Sequence, residues 1–127
     1  MKKLLAMTLS IVTGVSLLGT SVLAGEETYT IANTPKCIGI SWWDRMDVGN
    51  QKFAEATGNT VYQSGPTGDA DTAVQISSIE DAIASYVDAI TVIPFDPSSC
   101  ETTLAKARDA GIVVVSHEAE GMENVDY

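Results

Sequence analysis

The sequence contains few of the residues on which metal-binding and hydrolytic proteins depend. It has one histidine, His117, and two cysteines, Cys37 and Cys100, which do not stand in a C-x-x-C spacing. This set offers no recognisable zinc motif. The chain also has no G-x-S-x-G nucleophile elbow, which disfavours an exported α/β hydrolase, the enzyme class that remains as the alternative. We therefore expect a protein that is not an enzyme and that uses no metal or cofactor.

Basic residues are also scarce. Seven Lys and Arg stand against seventeen Asp and Glu, which gives a formal net charge of −10. Contacts to phosphate groups need Lys and Arg, so nucleic acid is not an expected partner. The glycines of residues 63–70 match neither a dinucleotide fingerprint nor a phosphate loop, and this segment is expected to be a connector. The acidity itself is explained by solubility and says little about a ligand.

The opening of the chain has the layout of a secretory signal peptide. Met1–Lys3 precedes an apolar stretch that carries no charge until Glu26. Short residues at 21–24 close the run, so cleavage is expected after Ala24, with residues 25–127 exported to the periplasm. A retained membrane anchor is the alternative, because the run is long enough to span a bilayer. No cysteine stands at the cut, so lipid attachment is not indicated.

Four β-prone runs alternate with three helical runs in residues 25–127. This alternation predicts an α/β fold, with a parallel sheet and helices on both of its faces. Continuous apolar runs indicate strands at 89–93 and 112–115, and 60–63 is a weaker third strand. The first strand stays open between 29–33 and 37–40, because both have β character. The chain stops just after the last apolar run, and we expect it to be an incomplete domain.

Apolar spacing and end signals place the helices. The first should begin near Asp44 and end at Gly58, the second should span 71–85, and the third should begin with a capping box at 98–101 and end before Gly111. The positions expected to face the core are Met46, Gly49, Phe53 and Ala56, then Ala73, Ile76, Ile79 and Ile83, then Leu104 and Ala107.

Ligands of an open parallel sheet bind beyond the carboxyl ends of its strands. The chemistry-bearing residues that follow the strands there are Lys36, Trp42, Trp43, Asp44, Asp96, His117 and Glu118. Such a set is typical of a sugar site, because aromatic rings cover the apolar face of a sugar and charged groups bind its hydroxyls. Core packing is the alternative for one tryptophan, and helix capping is an equal alternative for Asp96. Asp44 and His117 are expected to support the contacting residues.

Three segments together resemble a known family: Ile-Gly-Ile-Ser-Trp-Trp at 38–43, Val-Ile-Pro-Phe-Asp-Pro at 92–97 and the run 110–118. With the leader and the Thr-Pro-Lys at 34–36, they resemble the type I periplasmic sugar-binding proteins, which are the solute-binding components of ABC importers. The resemblance is greatest to the branch that contains rhamnose-binding and autoinducer 2-binding proteins. A sugar-responsive repressor shares this fold, but it would need a helix-turn-helix where the leader stands.

The resemblance implies two similar α/β lobes joined by a hinge, with the ligand clamped between them. This chain would supply the beginning of the first lobe, a doubly wound parallel sheet with the flavodoxin-like order 2-1-3-4 and a first strand at 29–34. The implied partners are a small sugar-like ligand and an ABC permease in the inner membrane. The resemblance also allows a chemoreceptor as a further partner.

Carried over by position, the resemblance implies that Lys36, Trp42, Trp43 and Glu118 contact the ligand, with Asp96 as a further acceptor. Glu118 stands where the family has an aspartate, and Ala119 stands where the ribose-binding branch has an arginine, so ribose is a poor candidate. The resemblance also puts Cys37 and Cys100 at the same edge of the sheet. A disulfide between these two residues then becomes feasible in an oxidising compartment.

Overall fold

A computed structural model describes residues 27–127, and the predicted leader lies outside this range. Its sheet has four parallel strands, in the order β2-β1-β3-β4. The strands are β1 (Thr30–Pro35), β2 (Thr60–Gln63), β3 (Ala89–Ile93) and β4 (Val113–Ser116). The α/β class and the order 2-1-3-4 are therefore confirmed. Within 27–127, every helix is too short or too polar to cross a bilayer.

The strands lie close to their predicted positions. β2 and β3 have the predicted bounds, and β4 is displaced by one residue toward the C-terminus. The open choice for the first strand is decided in favour of the earlier segment. Residues 37–40 instead form the loop before the first helix, where Ile38 makes one isolated parallel bridge to Thr67.

The helices are α1 (Ser41–Thr57), α2 (Thr72–Ala84) and α3 (Pro97–Asp109). α1 begins three residues before the predicted Asp44. A left-handed turn at Gly39 (φ 77°) and an extended Ile40 set its start, and Ile40 makes no side-chain capping bond. The predicted end is confirmed, because Gly58 adopts φ 75° and donates its N–H to the carbonyl of Ala54.

The apolar stripe predicted for α1 is wrong. Phe53 is 47% exposed, Gly49 and Ala56 are exposed, and only Met46 of that stripe is partly buried. The reason is that α1 meets the sheet partly through polar side chains: Asn50 Nδ2 donates to Asn33 Oδ1 at 3.2 Å. The face of α1 that contacts the sheet is therefore not the face that carries the most apolar residues.

The other face of the sheet carries the main hydrophobic core under α2 and α3. Ile79, Ile90, Leu104, Ala107 and Val114 are fully buried there. This confirms the predicted inward positions on α3, whereas Ala73 in the first turn of α2 is exposed.

The predicted capping box of α3 is wrong. Asp96, one residue before the helix, caps it by accepting from the N–H of Ser98. Glu101 instead accepts the N–H groups of Glu123 and Asn124, so its carboxylate holds the segment after β4.

Candidate ligand-binding site

The strand order reverses direction between β1 and β3. Because right-handed crossovers leave the sheet on opposite sides of this point, α1 covers one face and α2 and α3 cover the other. In open parallel sheets the loops after the strands separate at such a point, and ligands bind in the crevice between them. Lys36 directly follows β1, Asp96 follows β3, and His117 and Glu118 follow β4. Trp42 and Trp43 lie in the first turn of α1, not in a loop.

Lys36 and Glu118 form an ion pair at this edge, with 3.0 Å between Nζ and Oε2. Their side chains keep 33% and 40% of their surface exposed, so both charges remain within reach of a ligand. The hydrogen bond from Lys36 lowers the pKa of Glu118, and the charges of Lys36 and His117 lower it further. The backbone of Glu118 is left-handed, with φ 62°. The structure therefore brings together two of the residues predicted to bind the ligand.

Trp43 is a core residue of this chain. It is 3% exposed and packs with Cys37, Ile93 and Met46. The Lys36 ammonium lies 5.7 Å from the centroid of its ring, which is a cation–π distance. Trp43 thus supports Lys36 from below, and it does not offer the open ring face that stacking on a sugar would need.

Trp42 is the tryptophan that faces outward, with 65% of its surface exposed. Its ring meets that of Trp43 edge to face, with centroids 6.4 Å apart and an angle of 86° between the planes. Together with Arg45, Met46 and His117, it lines a cavity of about 230 Å³. Arg45 and Met46 were not predicted for the site. Their spacing of three and four residues from Trp42 would have found them, had the start of α1 been placed correctly.

His117 and Asp44 occupy different surroundings. The backbone N–H of His117 donates to the carbonyl of Val92 at 2.9 Å, which anchors this residue at the end of β3, and its side chain lines the cavity. Asp44 lies in the first turn of α1 with an exposed side chain, where a carboxylate interacts favourably with the helix dipole. His117 is therefore part of the cavity wall, whereas Asp44 contributes to the helix end.

Asp96 serves as a helix cap. Its Oδ1 accepts from the N–H and the hydroxyl of Ser98, and its Oδ2 accepts from the hydroxyl of Ser99. The Ser99 and Ser98 hydrogen bonds lower the pKa of this carboxyl group. Both oxygens are thus engaged within α3, which favours capping over ligand contact.

Gln75 holds the site together and was missed by the sequence interpretation. It is fully buried, and its Nε2 donates to the carbonyls of Thr34 (3.0 Å) and Ile93 (2.8 Å). Its Oε1 accepts the N–H of Phe95 at 3.0 Å. One side chain therefore joins the carboxyl ends of β1 and β3, two residues before Lys36 and three residues before Asp96. The available signal was a glutamine four residues before the buried Ile79, on the inner face of α2.

A second polar side chain fixes the first turn of α1. Gln63, the last residue of β2, donates from Nε2 to Asn33 Oδ1 at 3.1 Å and to the carbonyl of Trp43 at 3.2 Å. Asn33 in turn donates to Thr91 Oγ1 at 2.7 Å. These bonds tie the tryptophan pair to three strands of the sheet.

The two cysteines are buried free thiols, so the disulfide considered for them is not formed in this structure. Cys37 belongs to the cluster of Trp43 and Ile93 below α1, whereas Cys100 belongs to the main core below α2 and α3. The two residues lie in separate hydrophobic clusters, which explains why they do not pair.

Comparison with known proteins matches residues 31–127 to the periplasmic binding protein domain. LsrB from Clostridium saccharobutylicum, solved in complex with AI-2, is similar with a TM-score of 0.65 and 30% identity over 68% of this chain. An ABC transporter solute binding protein from Clostridium phytofermentas with bound L-rhamnose is similar with a TM-score of 0.68 and 28% identity over 75% of this chain. A periplasmic sugar binding protein from Legionella pneumophila, at 20% identity over 78% of this chain and a TM-score of 0.71, shares the fold.

The chain spans only part of the length of these structures, namely 26%, 29% and 37% respectively. A search of curated sequences gives no significant match. The family match nevertheless covers every strand and helix described above except the first residue of β1. On the fold and on this match, the chain belongs to the periplasmic binding protein domain family.

Proposed function

We propose that this chain provides part of the ligand-binding edge of a periplasmic solute-binding protein, one that delivers a small sugar-like ligand to an ABC importer. The observation that carries the proposal is the half-exposed Lys36–Glu118 pair beside the exposed ring of Trp42. Family membership and the sugar and AI-2 ligands named for the similar structures support it. We place the ligand in the class of rhamnose and autoinducer 2.

The ion pair has the chemistry to bind a polyhydroxylated ligand. A carboxylate accepts hydrogen bonds, and an ammonium group donates up to three. Glu118 stays ionised because its pKa is lowered, so it accepts from ligand hydroxyls, while Lys36 donates to hydroxyl or carbonyl oxygens. Charge-assisted hydrogen bonds of this kind are about twice as strong as neutral ones. In the free protein the two groups satisfy each other, which keeps their geometry set for the ligand.

The tryptophans have separate places in this proposal. Trp42 offers its ring to the apolar face of the ligand, and Trp43 positions both Trp42 and Lys36 from the core. The remaining ligand contacts come from a second lobe, which closes over this edge by a hinge motion. The closed form is the one that the membrane permease recognises, and a chemoreceptor is a second candidate reader of the same form.

Calorimetric titration of the complete gene product that carries this chain tests the proposal. We expect binding of L-rhamnose or of autoinducer 2, weakened roughly tenfold or more by Glu118→Gln, since the amide removes the negative charge and replaces one of the two acceptor oxygens with a donor. Trp42→Ala should weaken binding by a similar factor through loss of the stacked ring. Matched controls are Glu120→Gln and Tyr86→Ala, which change exposed residues outside the site.

Two outcomes contradict the proposal. One is that both site variants remain folded and bind as tightly as the parent. The other is that the ligand recovered after incubation is chemically changed, which would instead favour the alternative of an exported enzyme.

A further inference from the structure

We infer that the cavity beside Trp42 is a subsite for the terminal methyl group of the ligand, so that the protein prefers 6-deoxysugars to the corresponding hexoses. This inference rests on the proposed function, because it concerns the same bound sugar. It identifies the chemical group on the sugar that determines which sugar is preferred.

The wall of the cavity is made mostly of carbon and sulfur atoms. The residues that line it are Trp42, Arg45, Met46 and His117. Long charged side chains commonly cover apolar surface with their methylene stems while the charged head stays in water. Methionine adapts its shape to small apolar groups. A methyl group gains contacts here, whereas a hydroxymethyl group must give up water for few partners.

A series of contacts leads from the polar part of the site to the cavity. Glu118 binds Lys36 at 3.0 Å, Lys36 lies over Trp43, and Trp43 meets Trp42 edge to face. His117, which precedes Glu118 in the chain, lines the cavity directly. A ligand on this edge therefore meets two charged groups at one end and an apolar wall at the other.

This arrangement matches a sugar that is polar along one edge and apolar at one corner. L-Rhamnose is such a molecule, because it is L-mannose with the 6-hydroxyl group replaced by hydrogen. L-Lyxose has the same ring hydroxyls and no sixth carbon. The three sugars thus differ only in the group that would enter the cavity, and comparing them isolates its contribution.

The experiment is calorimetric titration of the complete gene product with L-rhamnose, L-mannose and L-lyxose, and with L-fucose against L-galactose as a second methyl–hydroxymethyl pair. Burying one methyl group is worth about fourfold in affinity, and rejection of an added hydroxyl reaches about a hundredfold in apolar pockets. We expect the deoxysugar to bind at least about fourfold more tightly than its hexose, and L-rhamnose to bind about fourfold more tightly than L-lyxose.

A variant pair places the effect in the cavity. Met46→Gln makes the wall polar at nearly constant size, and it should reduce the preference for the deoxysugar, measured as a ratio of affinities in the same variant, to less than about twofold. Phe53→Gln changes another ring on α1 that lies outside the cavity, and it should leave the preference intact. The comparison among sugars with the unchanged protein stands even if Met46→Gln does not fold.

The outcomes separate this inference from the proposed function. Equal or tighter binding of the hexose, or a preference that Met46→Gln leaves intact, overturns the methyl subsite while the sugar-binding function stands. Failure of all these sugars and of autoinducer 2 to bind overturns the proposed function, and the subsite with it.

Discussion

Lys36 Nζ lies 3.0 Å from Glu118 Oε2, although 82 positions separate the two residues in the chain. Lys36 follows β1 and Glu118 follows β4, and these strands are not neighbours because β3 lies between them. The ion pair therefore spans the carboxyl end of β3. Gln75 binds the same strand end, because it donates a hydrogen bond to the carbonyl of Ile93, the last residue of β3.

This pair should give the protein a defined dependence on pH. The folded-state pKa of Glu118 is lowered from its ordinary value of 4.5. The stabilisation that the pair provides is therefore fully present above pH 4.5 and is lost as the pH falls through the lowered pKa. Urea unfolding of the parent and of Glu118→Gln from pH 3 to pH 7 measures it, and the difference between the two should shrink only at the acid end.

Lys36→Met is the control for this titration. Without the ammonium group, the pKa of Glu118 should return toward its ordinary value, and the contribution of this carboxyl group to the pH dependence of stability should disappear. The pair is screened by water and salt at its present exposure, so the effect should be small and should weaken further at high ionic strength. A titration of Glu118 that is the same in parent and Lys36→Met would contradict this account.

Gln75→Met should destabilise the protein strongly. The methionine fits the same space but leaves the carbonyls of Thr34 and Ile93 and the N–H of Phe95 without their partner. Buried polar groups without a partner cost about 1 to 3 kcal/mol each, so we expect the free energy of unfolding to fall by at least about 2 kcal/mol. Gln51→Met is the control, because Gln51 is exposed and donates only one hydrogen bond to a strand carbonyl, that of Val61, and it should change stability by no more than about 1 kcal/mol. Equal effects of the two substitutions, measured by urea unfolding, would show that the hydrogen bonds of Gln75 do not stabilise the protein.

Two substitutions at Asp96 distinguish a cap from a ligand contact. Serine is also a good helix cap, so Asp96→Ser should retain both the melting temperature and the ligand affinity of the parent, whereas Asp96→Ala should lower the melting temperature. Differential scanning calorimetry and ligand titration on both variants provide the measurement. If Asp96→Ser melts like the parent but binds roughly tenfold more weakly, the carboxylate contacts the ligand after all.

Thiol titration tests the state of the cysteines. The protein purified without reductant should show two thiols per chain after denaturation, and slow reaction when folded. Cys100 should react more slowly than Cys37, because it is fully buried and desolvation raises its pKa, which lowers the thiolate fraction. Absence of both thiols in the denatured protein would instead show that a disulfide had formed.

Export can be tested by the mass of the mature protein. Expressed with its own leader in a Gram-negative cell, the chain should be recovered from the periplasm beginning at Gly25. Recovery of an intact residue 1–24 segment in the membrane fraction would favour the anchor alternative.

The strands and their order were predictable because burial on both faces dictates their composition. Ala89–Ile93, for example, is a nearly continuous apolar run, as expected for a strand that is covered on both faces. The start of α1 was not predictable from local signals, because Ile40 supplies no capping side chain. Asp44, which has the chemistry of a cap, lies inside the helix.

Because α1 begins at Ser41 and not at Asp44, both tryptophans lie within the helix, and this decides their roles. Within a helix, consecutive side chains point about 100° apart, so one ring of an adjacent pair enters the core while the other stays outside. Trp43→Ala should therefore act mainly on stability, at a cost of about 3 to 5 kcal/mol, rather than on ligand stacking. The residue types at the site were identifiable from the sequence. Which tryptophan is buried and which is exposed depended on the residue at which α1 begins.

The left-handed backbone at Glu118 limits how this edge can be redesigned. At φ 62°, glycine, asparagine and aspartate are tolerated best, and β-branched residues are strained. Aspartate would relieve the backbone, but its side chain is one methylene shorter and would draw the carboxylate away from Lys36. Few substitutions at this position are therefore compatible with the backbone, and each of them either removes the negative charge or shortens the side chain that carries it. New ligand preferences are more accessible through Arg45, which is exposed and has an unstrained helical backbone.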